Sequence, residues 1–584
     1  MAGGILNLIA VGNQNIILNG NPTKSFFKKT YAKYTNFGMQ KYRIDQTGQT
    51  NLHLTQFTFY RFKIPRYAEL LMDIYLVIKL PNIWSPILKY INPYNNLEFE
   101  YRPYHFQWIK NIGSQIIDEV SFTIDGRVIQ KYSGRYLQNM VERDFDNNKR
   151  EIFNRMTGNY NELNDPANFS NRNNNYPNSY KLNNNDIDGI EPSIKETNLY
   201  IPINSWFSLS SFMAFPLISL QQNILEVNFK LKPLQELFTI KDVIYDISLN
   251  TNNISTLFDN NTFFNYRYNY DDIPRIQPEQ NKDINYAYHR FIQPPPYTDI
   301  SSIDFIYPDQ RNNINYDIHL VCTQCFLDTN ERNLFLYAPR EYLIKEINEY
   351  KYEKINKSTK IKIESNGLIS NWMWYFQRND VNKRNEWSNY TNWEYINVLP
   401  NKLEKLYDTN NNELYYNNSN FLFNDPSKNI FITGNQPSIY QQTNQKYIMK
   451  NFGILVDGKY REDILPSEIY NFIEKYRNSN NLSDGVYLYN FSLDNNINTY
   501  QPSGSFNTNK FRNIEFEFNI YENPPLDLSS VQFNTICDPE TGLIIATSKE
   551  PTSIYKYNYD LYIFEEKYNI LRFQSGMADL IYSR

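Results

Sequence analysis

The chain has 584 residues with 58 basic and 63 acidic side chains, so it is too long for one ordinary core and too acidic to present a broad surface for a nucleic-acid backbone. Its three cysteines cannot form a disulfide framework, which favours synthesis in a reducing, intracellular compartment. The 50 Tyr and 38 Phe against 19 Gly favour strands, and the length predicts at least two domains.

The N-terminal residues 1–21 are apolar, but they lack a positively charged leader and are interrupted at Asn7 and at Asn13–Asn15. This pattern predicts neither a signal peptide nor a membrane span. The most apolar stretch elsewhere, Tyr67–Leu80, carries three charged side chains, which would be costly in hydrocarbon. We therefore expect a chain that is soluble when made.

Strict two-residue alternation of apolar and polar side chains predicts strands with one buried face. The segment Glu119–Ile124 alternates and runs into Asp125–Gly126, a pair typical of a tight hairpin turn. The segment Leu225–Lys232 alternates up to Pro233, and Ile514–Ile520 alternates shortly before a Pro-Pro pair. Strands are thus predicted in both halves of the chain.

Helical spacing is scarce and predicts two short helices. The first follows Pro466 and places four apolar side chains on one face, namely Ile469, Phe472, Ile473 and Tyr476. The second is predicted from Pro339 to Tyr350. Both helices are short enough to decorate a β scaffold.

Four long polar stretches, rich in residues that favour turns, separate the alternating regions: 147–198, 250–283, 378–445 and 478–509. We interpret 250–283 as the connection between two domains, because three consecutive prolines at Pro294–Pro296 and a fresh series of strands follow it. The other three are expected to be outward loops.

Cys322 and Cys325 form a C-x-x-C pair, which raises the question of a metal or redox site. Alternation places Cys322 on the same strand face as Leu320, and a three-residue step sends Cys325 to the opposite face. No second ligand pair at motif spacing is found among the other candidates, Cys537, His53, His105, His289 and His319. Both thiols are therefore predicted to lie in the core.

No other motif predicts chemistry. The sequence has no G-x-S-x-G elbow, no phosphate loop and no dinucleotide fingerprint. Carboxylate pairs cannot be singled out among 63 acidic residues, and the aromatic run Trp372–Phe376 is interpreted as core or interface rather than a sugar- or base-stacking platform. We predict no catalytic, cofactor-binding or metal-binding residues and no cofactor. Asn-x-Ser/Thr acceptors are attributed mostly to chance in an Asn-rich chain; they lie at Asn168, Asn253, Asn260, Asn356, Asn389, Asn417, Asn481 and Asn490.

The chain contains a series of short sequence blocks, namely Gly3–Gly4, Gly12, Asn19–Lys28, Tyr34–Phe37, Trp108–Gly113, Ile117–Val120, Ile124–Ile129, Phe215–Gln221, Val227–Phe229, Leu327–Arg332, Gln501–Asn507 and Tyr568–Ala578. In this order, the blocks resemble the major capsid proteins of nucleocytoplasmic large DNA viruses. Each block is short, but their order over nearly the whole chain is specific.

This resemblance implies an all-β fold of two tandem eight-stranded jelly rolls with long loop insertions and few short helices. It implies an N-terminal arm at 1–25, a first jelly roll at 26–249, the inter-domain connection at 250–283 and a second jelly roll at 284–584. It also implies a homotrimer that forms a pseudo-hexagonal capsomer, the repeating unit of an icosahedral virus shell.

The resemblance implies partners as well: neighbouring capsomers, minor capsid and penton proteins, and an inner membrane close to the N-terminal arm. The long loops are expected to form the outer face, where they could carry glycans, and no direct contact with nucleic acid is expected. The expected location is the virion shell, after synthesis in the host cytoplasm. Two alternatives stay open, a viral fibre or carbohydrate-attachment protein on a jelly-roll scaffold, and an internal assembly scaffold of the same fold. A jelly-roll glycosidase would require a carboxylate pair that the sequence does not single out.

Overall fold

Sixteen strands build two sandwiches in a computed structural model of the chain. The residues that the structure describes are 3–48, 51–85, 87–91, 99–172, 175–183, 186–241, 275–276, 287–295, 311, 313–383, 385–393, 396, 406–407, 413–414, 424–425, 430–433, 446–479, 481–496, 501–521, 534–537, 544–548 and 557–582.

The first sandwich, the first roll, contains two antiparallel sheets with four main strands each, and the short strand Phe215–Pro216 adds a fifth strand to one of them. Its strands are β1 (Phe37–Asp45), β2 (Thr58–Lys63), β3 (Leu70–Leu80), β4 (Ile117–Ile124), β5 (Arg127–Tyr132), β6 (Thr197–Pro202), β7 (Leu225–Leu231) and β8 (Ile318–Leu327). One sheet has the order β1-β8-β3-β6, and the other has the order β2-β7-β4-β5.

The second sandwich, the second roll, repeats this plan. Its strands are β9 (Arg340–Ile355), β10 (Thr359–Ile363), β11 (Leu368–Arg378), β12 (Met449–Val456), β13 (Lys459–Pro466), β14 (Val486–Asn490), β15 (Ile514–Ile520) and β16 (Tyr559–Gln574). The sheet orders are β9-β16-β11-β14 and β10-β15-β12-β13. Each strand of the second roll therefore has the same neighbours as its counterpart eight strands earlier, which is the jelly-roll arrangement repeated in tandem.

The two-residue alternation produces the expected faces. Burial alternates along both β7 and β15, with every apolar side chain of the pattern turned inward. The predicted hairpin joins β4 to β5, and Asp125 and Gly126 adopt φ values of 50° and 78°. Such left-handed backbone favours Gly and tolerates Asp.

The helices are short. They are α1 (Gly3–Ile9), α2 (Ile16–Asn19), α3 (Ile112–Gln115), α4 (Gly134–Asp144), α5 (Asn147–Met156), α6 (Asn161–Asn164), α7 (Thr329–Tyr337) and α8 (Glu474–Asn478). A π turn at Ile469–Ile473 leads into α8, which confirms the helix predicted after Pro466.

The helix predicted from Pro339 to Tyr350 is wrong. This segment is part of β9, which pairs along its length with β16. The segment contains the strand-forming residues Tyr342, Ile344, Ile347 and Tyr350, and pairing with a neighbouring 16-residue strand outweighs a short stretch of helical spacing. The helix of this region lies earlier in the chain, at α7.

The predicted start of the second domain at residue 284 does not match the strand pairing. Strand β8 begins at Ile318, yet it pairs with β1 on one side and with β3 on the other. It lies between two strands of the first roll and forms backbone hydrogen bonds with the facing edge of each. The second roll begins at β9, after α7, and most of 250–283 lies outside the described residues.

Short elements connect these strands. One of the polar stretches expected to be loops, 147–198, contains the helices α5 and α6, whereas α8 ends at the first residue of the stretch 478–509. Most of the stretch 378–445 lies outside the described residues. The remaining short strands are Asn51–His53, Ile87–Ile91, Phe99–Pro103, His105–Trp108, Tyr180–Asn183, Asp186–Ile190, Phe215–Pro216, Phe238–Lys241, Arg275–Ile276, Asn313–Asn315, Leu406–Tyr407, Glu413–Leu414, Asn424–Asp425, Ile430–Thr433, Phe506–Asn507, Asn534–Cys537, Ile544–Ser548 and Met577–Leu580. The 3-10 turns are Asn13–Asn15, Phe169–Asn171, Trp206–Ser208, Ser211–Met213, Leu217–Ser219, Leu234–Glu236, Tyr288–Arg290, Val381–Lys383 and Thr508–Lys510.

Candidate functional site

Both cysteines of the C-x-x-C pair are buried, as predicted. Cys322 is fully buried in the core between the two sheets of the first roll, where burial raises the pKa of its thiol. Cys325 is also buried, but in a separate small cluster with Leu70 and Ala214, as expected for the opposite face of the strand. Among the described residues, no group of three or more His, Cys, Asp or Glu side chains could hold a metal ion.

The aromatic run on β11 marks the contact between the two rolls. Trp372, Trp374 and Phe376 point into the core of the second roll, which confirms their prediction as buried residues. Met373 and Tyr375 point the other way and belong to the core cluster that contains the first roll. Strand β11 is therefore buried on both faces, and its sheet lies between two packed layers.

Aromatic side chains from both rolls interlock across this contact. Trp206 lies 5.3 Å from Tyr342, and Phe215 lies 5.3 Å from Phe573, measured between ring centroids. Large apolar areas of this kind are the main favourable term in stable interfaces.

A buried ion pair lies at the centre of the contact. From α4, Arg143 extends to Glu566 on β16, with 2.7 Å between Nη1 and the carboxylate, and both side chains are 1% exposed. The Arg143 guanidinium also donates two hydrogen bonds to Asp144, at 2.7 and 2.8 Å. Glu566 accepts further hydrogen bonds from Tyr136 at 2.8 Å and from Asn371 at 2.7 Å. The carboxylate thus accepts from both rolls.

These partners keep Glu566 ionised. Burial alone would raise the pKa of this carboxyl, but Arg143 and Lys345 lower it to about 2. Because the pKa in the folded state lies below the ordinary value of 4.5, the ionised carboxylate stabilises the fold above that pH. This contribution is lost progressively as the pH falls from 4.5 towards 2.

A second polar contact joins a loop of the second roll to the first. Asn385 donates to the backbone carbonyls of Gln235 and Phe238 at 2.8 Å, and the Trp387 indole donates to the carbonyl of Glu236 at 2.9 Å. The same indole ring lies 4.4 Å from the Nζ of Lys232. Directional hydrogen bonds of this kind fix the relative position of the rolls.

The side chain of Lys232 is buried in surroundings that disfavour its charged form. Its side chain is 3% exposed, and its Nζ has no hydrogen-bond partner among the described residues. Burial, reinforced by the positive charge of Arg135, lowers the pKa of this amine to about 7, although Glu236 and Asp118 act in the opposite direction.

None of these charged groups was singled out from the sequence. One signal was available: Glu565–Lys567 places three consecutive charges in the middle of the otherwise mostly aromatic and aliphatic β16. Such charges in a doubly buried strand require partners from the facing layer. Arg143 carried no comparable signal, because α4 was not predicted.

No residue from 3 to 36 is buried, and this range includes the described part of the predicted N-terminal arm, 1–25. Its apolar side chains lie open, with Ile17 at 84%, Leu18 at 87% and Phe26 at 87% exposure. Among the described residues, no helix is long and apolar enough to cross a membrane. Among the residues that the structure describes, the apolar side chains of the arm therefore have no covering layer.

Two like sandwiches, joined by an apolar contact with a buried polar centre, define a double jelly-roll protein. Residues 25–269 match the family model of the major capsid protein N-terminus, and residues 331–579 match that of the large eukaryotic DNA virus major capsid protein. The two matches together cover most of the chain. The chain belongs to this family of major capsid proteins and is a structural protein of the virion shell.

Individual relatives are distant. Capsid protein 1 of Acanthamoeba polyphaga mimivirus is 27% identical over 242 residues, which are 41% of this chain and only 36% of that relative. The major capsid protein of Paramecium bursaria Chlorella virus 1 is 21% identical over 589 residues and covers 100% of both chains. The solved structure of the Faustovirus major capsid protein aligns with a TM-score of 0.57 at 10% identity, over 98% of this chain and 96% of that one.

We expect Arg143→Ala to lower the free energy of unfolding by about 3–5 kcal/mol, because it removes the guanidinium that pairs with both Asp144 and Glu566 and leaves these two buried carboxylates with Lys345, 3.5 Å from Glu566, as their nearby positive charge. Chemical denaturation measures this loss. The matched control is Arg127→Ala, which breaks an inter-roll ion pair with Asp579 whose side chains are 70% and 60% exposed and should cost less than about 1 kcal/mol. Equal losses in the two variants would contradict a special role for the buried pair.

We expect Lys232→Met to stabilise the protein at pH 7. The amine has a pKa of about 7 when folded and an ordinary value of 10.5, so folding is penalised as the pH falls below 10.5, and the penalty is complete below about 7. At 1.36 kcal/mol per pKa unit, the gain is up to about 4 kcal/mol. Melting temperatures between pH 7 and 10 should rise with pH in the wild type and stay flatter in the variant. Parallel curves would refute the buried-amine interpretation.

Proposed function

We propose that this chain is the main building block of an icosahedral shell and that three copies associate into a capsomer of pseudo-hexagonal outline. The single observation that carries this proposal is the repeated strand order of the two rolls. Three copies of a tandem pair supply six similar sandwiches, and a ring of six similar units matches a hexagonal lattice although its true symmetry is three-fold.

The contact inside the chain supports this role. It buries aromatic side chains and an ion pair, so the two rolls behave as one rigid block rather than as two mobile domains. Interfaces within the trimer should likewise be large and apolar, as in obligate assemblies. Contacts with neighbouring capsomers can be smaller and more polar, because a closed shell multiplies many weak contacts.

The exposed arm is proposed to become ordered during assembly. Its apolar side chains suit the inner side of the shell, where minor capsid proteins, penton proteins and an inner membrane would provide apolar partners. Burial of several such side chains would supply the free energy needed to order the segment.

The proposal requires no catalysis, cofactor or direct contact with nucleic acid. The family is structural, and the charge of -5 gives no broad cationic surface for a phosphate backbone. Outward loops remain available for glycans. The attachment-protein and internal-scaffold alternatives predict a minor band in purified particles and absence from mature particles, respectively.

Sedimentation velocity of the purified full chain at micromolar concentration should give a stable trimer. Negative-stain images of the same sample should show three-fold particles with hexagonal outline. A sample that remains monomeric over this concentration range would contradict the proposal.

Limited proteolysis tests the arm. Trypsin should cleave the free trimer first at Lys24, Lys28 and Lys29, because residues around them are exposed and carry no tertiary packing. In assembled particles the same bonds should be cleaved at least tenfold more slowly. Lys360, half-exposed but within a paired strand, serves as the resistant internal control in both samples. Equal arm cleavage before and after assembly would refute ordering of the arm.

A further inference from the structure

A buried amine, a carboxylate and a side-chain amide meet in the second roll. Lys567 lies on β16, directly opposite Glu346 on β9, and Asn366 lies in the segment that joins β10 to β11. The Nζ of Lys567 is 3.1 Å from Oε2 of Glu346 and donates a hydrogen bond of 3.3 Å to Oδ1 of Asn366. Lys567 and Glu346 are only 5% and 7% exposed. We call these three residues the amine–amide triad.

Neighbouring groups hold the triad in place. Asn569 donates to Oε1 of Glu346 at 3.0 Å, and the other carboxylate oxygen, Oε2, has no hydrogen-bond partner among the described residues. Next to Asn366, Gly367 has a φ of 104°, a backbone conformation that favours glycine, and a Cβ at this position would lie 3.6 Å from Cδ of Lys567. The lysine stem therefore packs against the segment that carries Asn366, which keeps the amine close to the amide, as a reaction between two held groups requires.

We propose that Lys567 and Asn366 form an intramolecular isopeptide bond, with Glu346 as the group that moves the protons. The inference goes beyond the proposed function, because the reaction needs no second copy of the chain. The triad supplies every component of the reaction: a nucleophilic amine, an amide carbon and a carboxylate within proton-transfer distance of the amine.

The reaction is an exchange of one amide for another. Glu346 takes a proton from the Lys567 ammonium, and burial favours this transfer because it removes two charges from surroundings of low polarity. The neutral Nζ attacks Cγ of Asn366, and the new Nζ–Cγ bond replaces the bond from Cγ to Nδ2. The amine gives up a second proton as this bond forms, and Nδ2 leaves with both protons as ammonium. Asn366 is exposed, so the ammonium can pass into solvent, and the Glu346 carboxylate is regenerated.

The backbone restrains the competing reaction of this amide. In an Asn-Gly pair the glycine nitrogen commonly attacks the same Cγ and forms a succinimide. Here the N–H of Gly367 donates to Oδ1 of Asn509 at 3.0 Å, and the carbonyl of Gly367 accepts from the N–H of Thr508 at 3.0 Å. These hydrogen bonds fix the peptide groups on both sides of Gly367, whereas the Lys567 amine already contacts the amide.

A second lysine provides an internal control. Lys475 is 9% exposed, and its Nζ donates to Oδ1 of Asn471 at 2.6 Å and to the backbone carbonyl of Ser483 at 2.7 Å. In the part of the chain that the structure describes, no ion pair joins Lys475 to a carboxylate. An amine and an amide meet here without an adjacent group to move the protons, so no bond should form between them.

Intact mass spectrometry of the purified full chain tests the bond. We expect the wild type to weigh less than its sequence requires by the mass of one ammonia molecule. A tryptic digest should contain one branched peptide that joins Lys567 to Asn366, and it should contain Lys475 and Asn471 only in unbranched peptides. Because the bond would close a loop between residues 201 positions apart, the wild type should also melt at a higher temperature than Asn366→Ala.

Three variants locate the reaction. Asn366→Ala, a change at an exposed position, and Lys567→Arg should both have the full mass that their sequences require. Glu346→Gln, sampled at the same age after expression, should contain at least about tenfold less of the linked form. Circular dichroism reports whether each variant is folded. A wild type of full mass would overturn the proposal without reference to any variant. A mass loss that persists in Lys567→Arg would also overturn it, because it would identify a succinimide at Asn366 instead.

Discussion

The second roll's sheet β9-β16-β11-β14 is buried on both faces. This burial limits which side chains its strands can carry and how the two rolls can be oriented. A strand in such a sheet must be apolar on successive residues, as β11 is, or must find a counter-charge in the facing layer. Glu566 is a charged residue in this sheet, and Arg143 provides its counter-charge from the facing layer. The ion pair contributes less to net stability than to orientation, since a misaligned roll would leave a carboxylate and a guanidinium buried apart. The aromatic contacts provide the area, and the polar centre fixes the register.

A rigid relationship between the rolls makes the chain useful for building shells. Neighbouring copies then meet surfaces whose positions do not vary, so each contact can be weak and still specific. The exposed arm has the opposite character, because its apolar side chains are not buried in the described part of the chain. The molecule thus combines two rigidly packed rolls with an exposed arm that we propose becomes ordered during assembly.

The sequence revealed the sandwich strands where a single face is buried. Alternation identified β4, β7 and β15, and Asp125–Gly126 identified the hairpin turn, because these signals are local. It misled at Pro339–Tyr350, where β9 derives its stability from a distant partner, β16. The position of β8 was missed for the same reason, since pairing between strands far apart in sequence leaves no local trace. The ion pair at the centre of the contact could not be predicted either, because Arg143 and Glu566 are far apart in the sequence and become partners only when the two rolls pack together.

The late arrival of β8 also shapes how the chain comes to be folded. Its two neighbours, β1 and β3, end at Asp45 and Leu80, but β8 itself begins only at Ile318. Until β8 has been synthesised, the first sheet lacks a central strand, and the edges of β1 and β3 that β8 will pair with have no backbone hydrogen-bond partners. Such a nascent chain is exposed to mispairing with its neighbours on the same polysome, and its high contact order slows the search for the correct strand. The pairing of β8 with β1 and β3 is therefore the non-local step on which the completion of this sheet depends.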